Sequence, residues 1–150
     1  MMLTVIAILI FLVLGGIAGL HAYWALGGLW PCRDEATLVR TVVGTKHRST
    51  MPPAWLSLVV AALIFAAALL PLFATPVLSG ALPSMLVYSG LTVLAAIFVA
   101  RGLAAFTGAF HRRHGTEPFM TLDRRIYGPL CLLIGAGYLA LLTLATASPG

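Results

Sequence analysis

The sequence predicts an all-α integral membrane protein, a four-helix bundle built as a single domain. Three observations lead there. Hydrophobic residues make up 61% of the chain and charged residues 9%, against about 25% charged in soluble domains. A soluble fold has too little polar surface to cover that apolar content. The apolar residues gather in four runs, at about 3–28, 54–73, 84–107 and 125–147, each close to the roughly 20 residues that cross a bilayer core. The basic residues all lie between runs one and two or around the junction of runs three and four.

Run one has Thr4 as its only polar side chain before His21. It is expected to stay in the mature chain, because no basic residue precedes it and it exceeds the roughly 7–15 apolar residues of a signal peptide. It closes on His21-Ala-Tyr-Trp-Ala-Leu-Gly-Gly-Leu-Trp-Pro31, which concentrates one ionisable ring, three large aromatics and two glycines. Between charges in the first loop, Leu38, Val39, Val42 and Val43 outline a short interfacial helix. Run two follows the stiff entry Met51-Pro52-Pro53 and carries Trp55 in its first turn, an interfacial anchor. Pro71 and Pro76 end it, and the short, uncharged stretch 74–83 makes runs two and three antiparallel neighbours. Run three passes Arg101, with no strong stop before Gly108. Run four starts at Arg125 or at Pro129; Pro129 is either an N1 proline or a mild kink.

The net charge of +5 and a pI near 9.9 do not indicate nucleic-acid binding, since no nucleic-acid module is present. All nine basic residues fall in or beside loops one and three, and none in the N-terminus, loop two or the C-terminus. The positive-inside rule then places loops one and three in the cytoplasm and both termini outside, with anionic headgroups as partners of the basic loops. Lipid supplies no hydrophobic drive for helix association, so small residues are expected at the contacts. Gly15 and Gly19 on run one are the leading pair, with Ala62, Ala66 and Ala67 on run two and Gly135 and Gly137 on run four.

Three motifs carry a resemblance: His21-x-Tyr-Trp-x-x-Gly-Gly28, Arg101-Gly102, and Phe119-x-x-Leu-Asp-x-x-x-Tyr-x-Pro-Leu-Cys-Leu132. Together they resemble a bacterial family of small four-span membrane proteins, domain-of-unknown-function family 3995. The resemblance runs from Leu3 to about Leu142. It implies the four-span fold and a multi-pass location in the bacterial plasma (inner) membrane. It brings no established activity, and therefore no catalytic residues.

The candidate residues each admit a structural and a functional reading. His21 is a neutral imidazole bonded to a neighbouring helix, or a group that binds a proton, metal or haem iron. Tyr23, Trp24 and Trp30 form an aromatic belt, or stack on a ligand. Arg101 snorkels to lipid phosphate, or pairs with Asp123. Asp123 is otherwise the N-cap of span four. His111 and His114 would share a helix face, but Arg112 and Arg113 between them repel a cation, so no metal site is assigned. Cys32 and Cys131 form no Cys-x-x-Cys motif and are placed on the reducing side, against a disulfide. Topology brings His21, Trp24, Arg101, Asp123 and Tyr127 to a similar depth. The expectation is one polar cluster, with an Arg101–Asp123 contact and His21 facing the same space. Two function classes follow. One is a non-enzymatic bundle, standing alone or serving as an accessory subunit. The other is a small enzyme or a lipid- or cofactor-binding protein using that cluster. No cofactor is identified by the residues.

Overall fold

The computed structural model describes residues 1–44, 50–113 and 115–147. Among them there are helices and no strands: α1 (Met2–Ala25), α2 (Glu35–Val42), α3 (Ala54–Phe73), α4 (Ser84–Ala104), α5 (Gly108–Arg113), α6 (Phe119–Leu122), a π-helical turn (Asp123–Tyr127) and α7 (Gly128–Ala147). Helix α6, the π-turn and α7 run on as one rod. It forms the fourth of four segments, with α1, α3 and α4, that are long and apolar enough to cross a membrane.

The boundaries differ from the hydropathy reading at three ends. Span one stops at Ala25, not Gly28. Gly27 takes φ +89, its N–H bonds the Trp24 carbonyl, and the Gly28 N–H bonds the Tyr23 carbonyl. This is a Schellman ending, which needs a left-handed residue that glycine adopts without a Cβ penalty. Gly28 is then covered by the Tyr23 ring, which occupies the place of a Cβ. Span three stops at Ala104, not 107, because the Thr107 hydroxyl accepts from the Phe110 N–H at 3.4 Å and starts α5. Span four starts at Phe119, six residues before Arg125. Pro129 is neither its first residue nor a simple kink. Proline removes one helical donor and crowds the carbonyl four residues back. Just before it the Gly128 N–H reaches back to the Asp123 carbonyl, and the helix widens into the π-turn.

Helix α1 packs along α3 and α4 along α7, with lighter seams from α1 to α7 and from α3 to α4. The shared core joins Ala7, Ile10 and Leu14 of α1 to Ala67, Ala68 and Leu72 of α3. Val87, Leu91 and Ala95 of α4 and Ile134, Tyr138 and Leu141 of α7 complete it. The Tyr138 ring stacks on Phe98 at 5.7 Å, and its hydroxyl donates to the Ala67 carbonyl at 2.8 Å. That carbonyl lies four residues before Pro71, so no helical N–H can reach it. The tyrosine supplies the missing donor across the interior, which is how a proline fits inside an apolar helix.

Gly15 and Gly19 do not make the helix contacts expected of them. A Cβ at either, or at Gly16, would meet nothing within 4 Å. The inward face of α1 carries Leu14 and Ala18 instead. Close approach occurs at the α4–α7 seam, where a Cβ on Gly135 would lie 2.7 Å from Val99 Cγ2 and one on Gly102 would lie 3.0 Å from the Gly128 carbonyl. Of the three alanines proposed for α3, Ala62 and Ala66 are exposed and Ala67 is buried beside Ala68. The paired variants Gly19→Leu and Gly135→Leu should therefore diverge. The first should leave the thermal midpoint in detergent within error of wild type. The second should lower stability by about 1–3 kcal/mol through overpacking. Equal losses would mean that the seams are misassigned.

Helix α2 is the expected short helix of loop one. Asp34 caps it, accepting from the Thr37 N–H at 2.8 Å and the Thr37 hydroxyl at 2.9 Å. Those two bonds hold its carboxyl below the ordinary aspartate range, the backbone bond most of all. The cap is thus in place at neutral pH and is lost as pH falls through that lowered value. Leu38 and Val39 are fully buried beneath the helix. Its C-terminal end rests on span four, where the Phe119 ring fills the space a Cβ on Gly44 would need and the Tyr127 hydroxyl donates to the Thr41 carbonyl at 3.3 Å.

Candidate functional site

The polar groups near the charged end of the spans fall into two places. The first is an ion pair between α4 and the π-turn. Arg101 Nη2 lies 2.6 Å from Asp123 Oδ1. Glycines let these helices touch backbone to backbone one residue from Arg101, with Gly102 facing the Gly128 carbonyl. The π-turn adds a residue exactly where Asp123 must turn toward α4. Asp123 is 0% exposed and Arg101 34% exposed, so the carboxylate is fully enclosed and the arginine only partly, its exposed share lying elsewhere than at Nη1, which is also buried. The Phe110 ring of α5 lies under the guanidinium, 4.9 Å from its carbon, in cation–π geometry. Asp123 therefore lies inside a continuous helix and is not an N-cap.

The second place is a groove between α1 and α3 at the same end. It has a volume of about 170 Å³, and its walls include His21, Trp24, Val42, Met51, Pro52 and Ser57. His21 Nδ1 is 2.9 Å from the Ile17 carbonyl. A carbonyl only accepts, so Nδ1 carries the proton, and in the neutral ring Nε2 keeps its lone pair. Trp24 lies 5.2 Å from the imidazole at 60°, and its indole N–H donates to the Trp30 carbonyl at 2.8 Å. An adjoining hollow of about 270 Å³ shares Trp24, Met51 and Pro52 and adds Gly27, Gly28 and Glu35. Glu35 accepts the Met51 N–H at 2.7 Å, tying α2 to the entry of α3.

The single cluster expected from topology is thus divided. Arg101 and Asp123 meet. Tyr127, four residues beyond Asp123, turns toward α2 and packs on Phe119 at 6.0 Å. His21 and Trp24 belong to the α1–α3 groove and do not share the space of the ion pair. The reason is the packing order: α1 lies chiefly along α3, so the loop-end residues of α1 line that seam. His114 and the side chain of His111 lie outside the described residues. Among the described residues no three His, Cys, Asp or Glu side chains gather to hold a metal ion. Cys32 and Cys131 are both free thiols.

Several residues of these two places carry no sequence signal of their own. Phe110 and Ser57 look like ordinary apolar or small positions, whereas Phe119 opens one of the three motifs. Gly102 and Gly128 lie far apart in sequence, and only the fold brings them together. Glu35 stands out as one of four acidic residues in the chain, but its partner is a backbone N–H.

Four apolar spans, small loops and one buried ion pair at the charged end define the class: a small multi-pass helical membrane protein. Residues 14–138 match the family model described as Protein of unknown function (DUF3995). The match covers most of the chain, which belongs to this family. No curated protein and no solved structure matches it.

Proposed function

We propose that the protein is a non-enzymatic four-helix bundle of the bacterial plasma membrane that serves as an accessory subunit of a larger membrane assembly. Its termini lie outside, and its basic loops face anionic headgroups in the cytoplasmic leaflet. One observation carries the reading: the polar side chains between elements act as ties. Arg101–Asp123 joins α4 to span four, Tyr138 joins span four to α3, and Tyr127 joins span four to α2. None of these groups converges with another on a common cavity, as a catalytic constellation requires. The open small-residue face of α1 at Gly15, Gly16 and Gly19 suits close approach of another membrane helix. The placement of the termini follows from the nine basic residues in or beside loops one and three.

Mass spectrometry of the gently solubilised protein tests the reading. Stoichiometric partner chains support it. A lone chain that turns over a substrate overturns it. The orientation has its own check: single cysteines placed at residues 78 and 2, in a chain without Cys32 and Cys131, should react with an impermeant maleimide added to intact cells. Labelling only after lysis reverses the topology. The second reading, a ligand-binding protein, is favoured by the groove at His21.

A further inference from the structure

We propose that the α1–α3 groove binds the head of a neutral amphiphile carrying a hydroxyl on an aromatic ring, of the hydroquinone class, with His21 Nε2 accepting the hydroxyl proton. This goes beyond the accessory role and does not depend on it.

Four observations converge. The first is the acceptor. The Nδ1–H bond to the Ile17 carbonyl orients the His21 ring and leaves Nε2 as a lone pair. No described residue donates to Nε2, and the ring lines the groove. A half-buried acceptor lining an open groove is placed to take a donor from a bound molecule. The second is size: about 170 Å³ is comparable with the engineered cavity of about 150 Å³ that holds benzene. The third is the wall. Trp24 presents an aromatic surface beside the imidazole, and its N–H bond to the Trp30 carbonyl fixes it there. Met51, Pro52 and Val42 make the remaining lining apolar, while Ser57 adds one hydroxyl. The fourth is charge. No Lys or Arg is among the described lining residues of the groove or the adjoining hollow, and the hollow holds Glu35. The charged side chain among the described lining residues is thus a carboxylate, which disfavours a phosphate headgroup and favours an uncharged ligand.

The depth is consistent. His21 precedes the end of α1 by four residues, about 6 Å at 1.5 Å per residue, and Ser57 follows the start of α3 by three. This is the level at which the polar head of an amphiphile lies, with its tail in the hydrocarbon. A glycerol hydroxyl, as in a diacylglycerol, offers the same donor on an apolar body but lacks the ring.

The test uses the full chain in phosphatidylcholine nanodiscs. Trp30→Phe and Trp55→Phe leave Trp24 as the sole reporter of the chain's three tryptophans. The probes are decyl-benzohydroquinone, its bis-methyl ether and dioctanoylglycerol. The expected result is saturable quenching of Trp24 by the hydroquinone. The ether should bind about tenfold more weakly, equivalent to ~1.4 kcal/mol for the lost donor. His21→Phe should erase that gap, whereas His21→Gln, which keeps an acceptor, should retain part of it. Equal binding of hydroquinone and ether to the chain with His21 intact overturns the proposal, and this comparison requires no His21 variant to fold. Absence of saturable quenching in a chain with a wild-type thermal midpoint overturns it too. Displacement of the hydroquinone by an equal concentration of dioctanoylglycerol overturns the choice of an aromatic hydroxyl; failure to displace supports it.

Discussion

Arg101→Ala should be among the most damaging single substitutions in the chain, lowering stability by about 3–5 kcal/mol. It leaves the enclosed Asp123 carboxylate without its guanidinium, and removing one partner of a buried pair leaves an uncompensated charge. The reciprocal change should cost less. Arg101 is one-third exposed where Asp123 is fully buried, so in Asp123→Ala its long stem should swing the guanidinium, whose Nη1 is buried in the pair, out toward headgroups and water. Asp123→Asn should cost least, because the amide oxygen still accepts a hydrogen bond. The double variant Arg101→Ala with Asp123→Ala should recover part of the first loss. Reversible unfolding of all four variants in mixed micelles gives the coupling energy directly. Simple additivity, or a larger loss for Asp123→Ala than for Arg101→Ala, would show that burial does not set the asymmetry.

Truncating Tyr138 should be comparably severe. The ring is fully buried among all four spans, and Tyr138→Ala should cost about 3–5 kcal/mol by analogy with other large-to-small core changes. Tyr138→Phe separates packing from the hydrogen bond. Interhelical hydrogen bonds in membrane proteins average about 0.6 kcal/mol and reach ~1.7. The upper end is expected here, because the Ala67 carbonyl has no helical donor once Pro71 is in place. Pro71→Ala restores that donor, so on this background Tyr138→Phe should be clearly milder. Thermal unfolding of the two single variants and the double variant decides it. An equal penalty on both backgrounds would mean that the tyrosine is not compensating for the proline.

The four spans were legible because hydropathy reports burial in lipid directly, and the ion pair because the basic residues marked which ends lie together. The rest was hidden for identifiable reasons. A membrane helix is apolar all round, so no amphipathic stripe says which face looks inward. Gly15 and Gly19 therefore read as a contact while Leu14 and Ala18 make it. The Gly27–Gly28 ending lies inside an apolar run, and a hydropathy window passes over it. The start of span four was obscured by Asp123, Arg124 and Arg125, which read as loop. Asp123 is absorbed by Arg101, while Arg124 and Arg125 lie exposed on the helix surface. Pro118, just before Phe119, was the usable start signal there. His21 was expected to share the space of Arg101 and Asp123 and instead lines the α1–α3 seam, because topology orders the ends of spans and not their neighbours.

The π-turn has a consequence for the rotational phase of the fourth span. In an α-helix each residue advances the face by about 100°. The extra residue held within 123–127 sets where every later side chain points relative to α6. The wide turn spreads its five residues over about the rotation that four give in an α-helix, so the extra residue is absorbed without turning the downstream half. Were 123–127 to tighten into regular α-helix with every residue kept, the downstream half would turn by about 100°, carrying Gly135 away from Val99 and Tyr138 away from Ala67 while Phe119 stayed under α2. The width of that turn, more than the number of its residues, keys the two halves of the span to different neighbours.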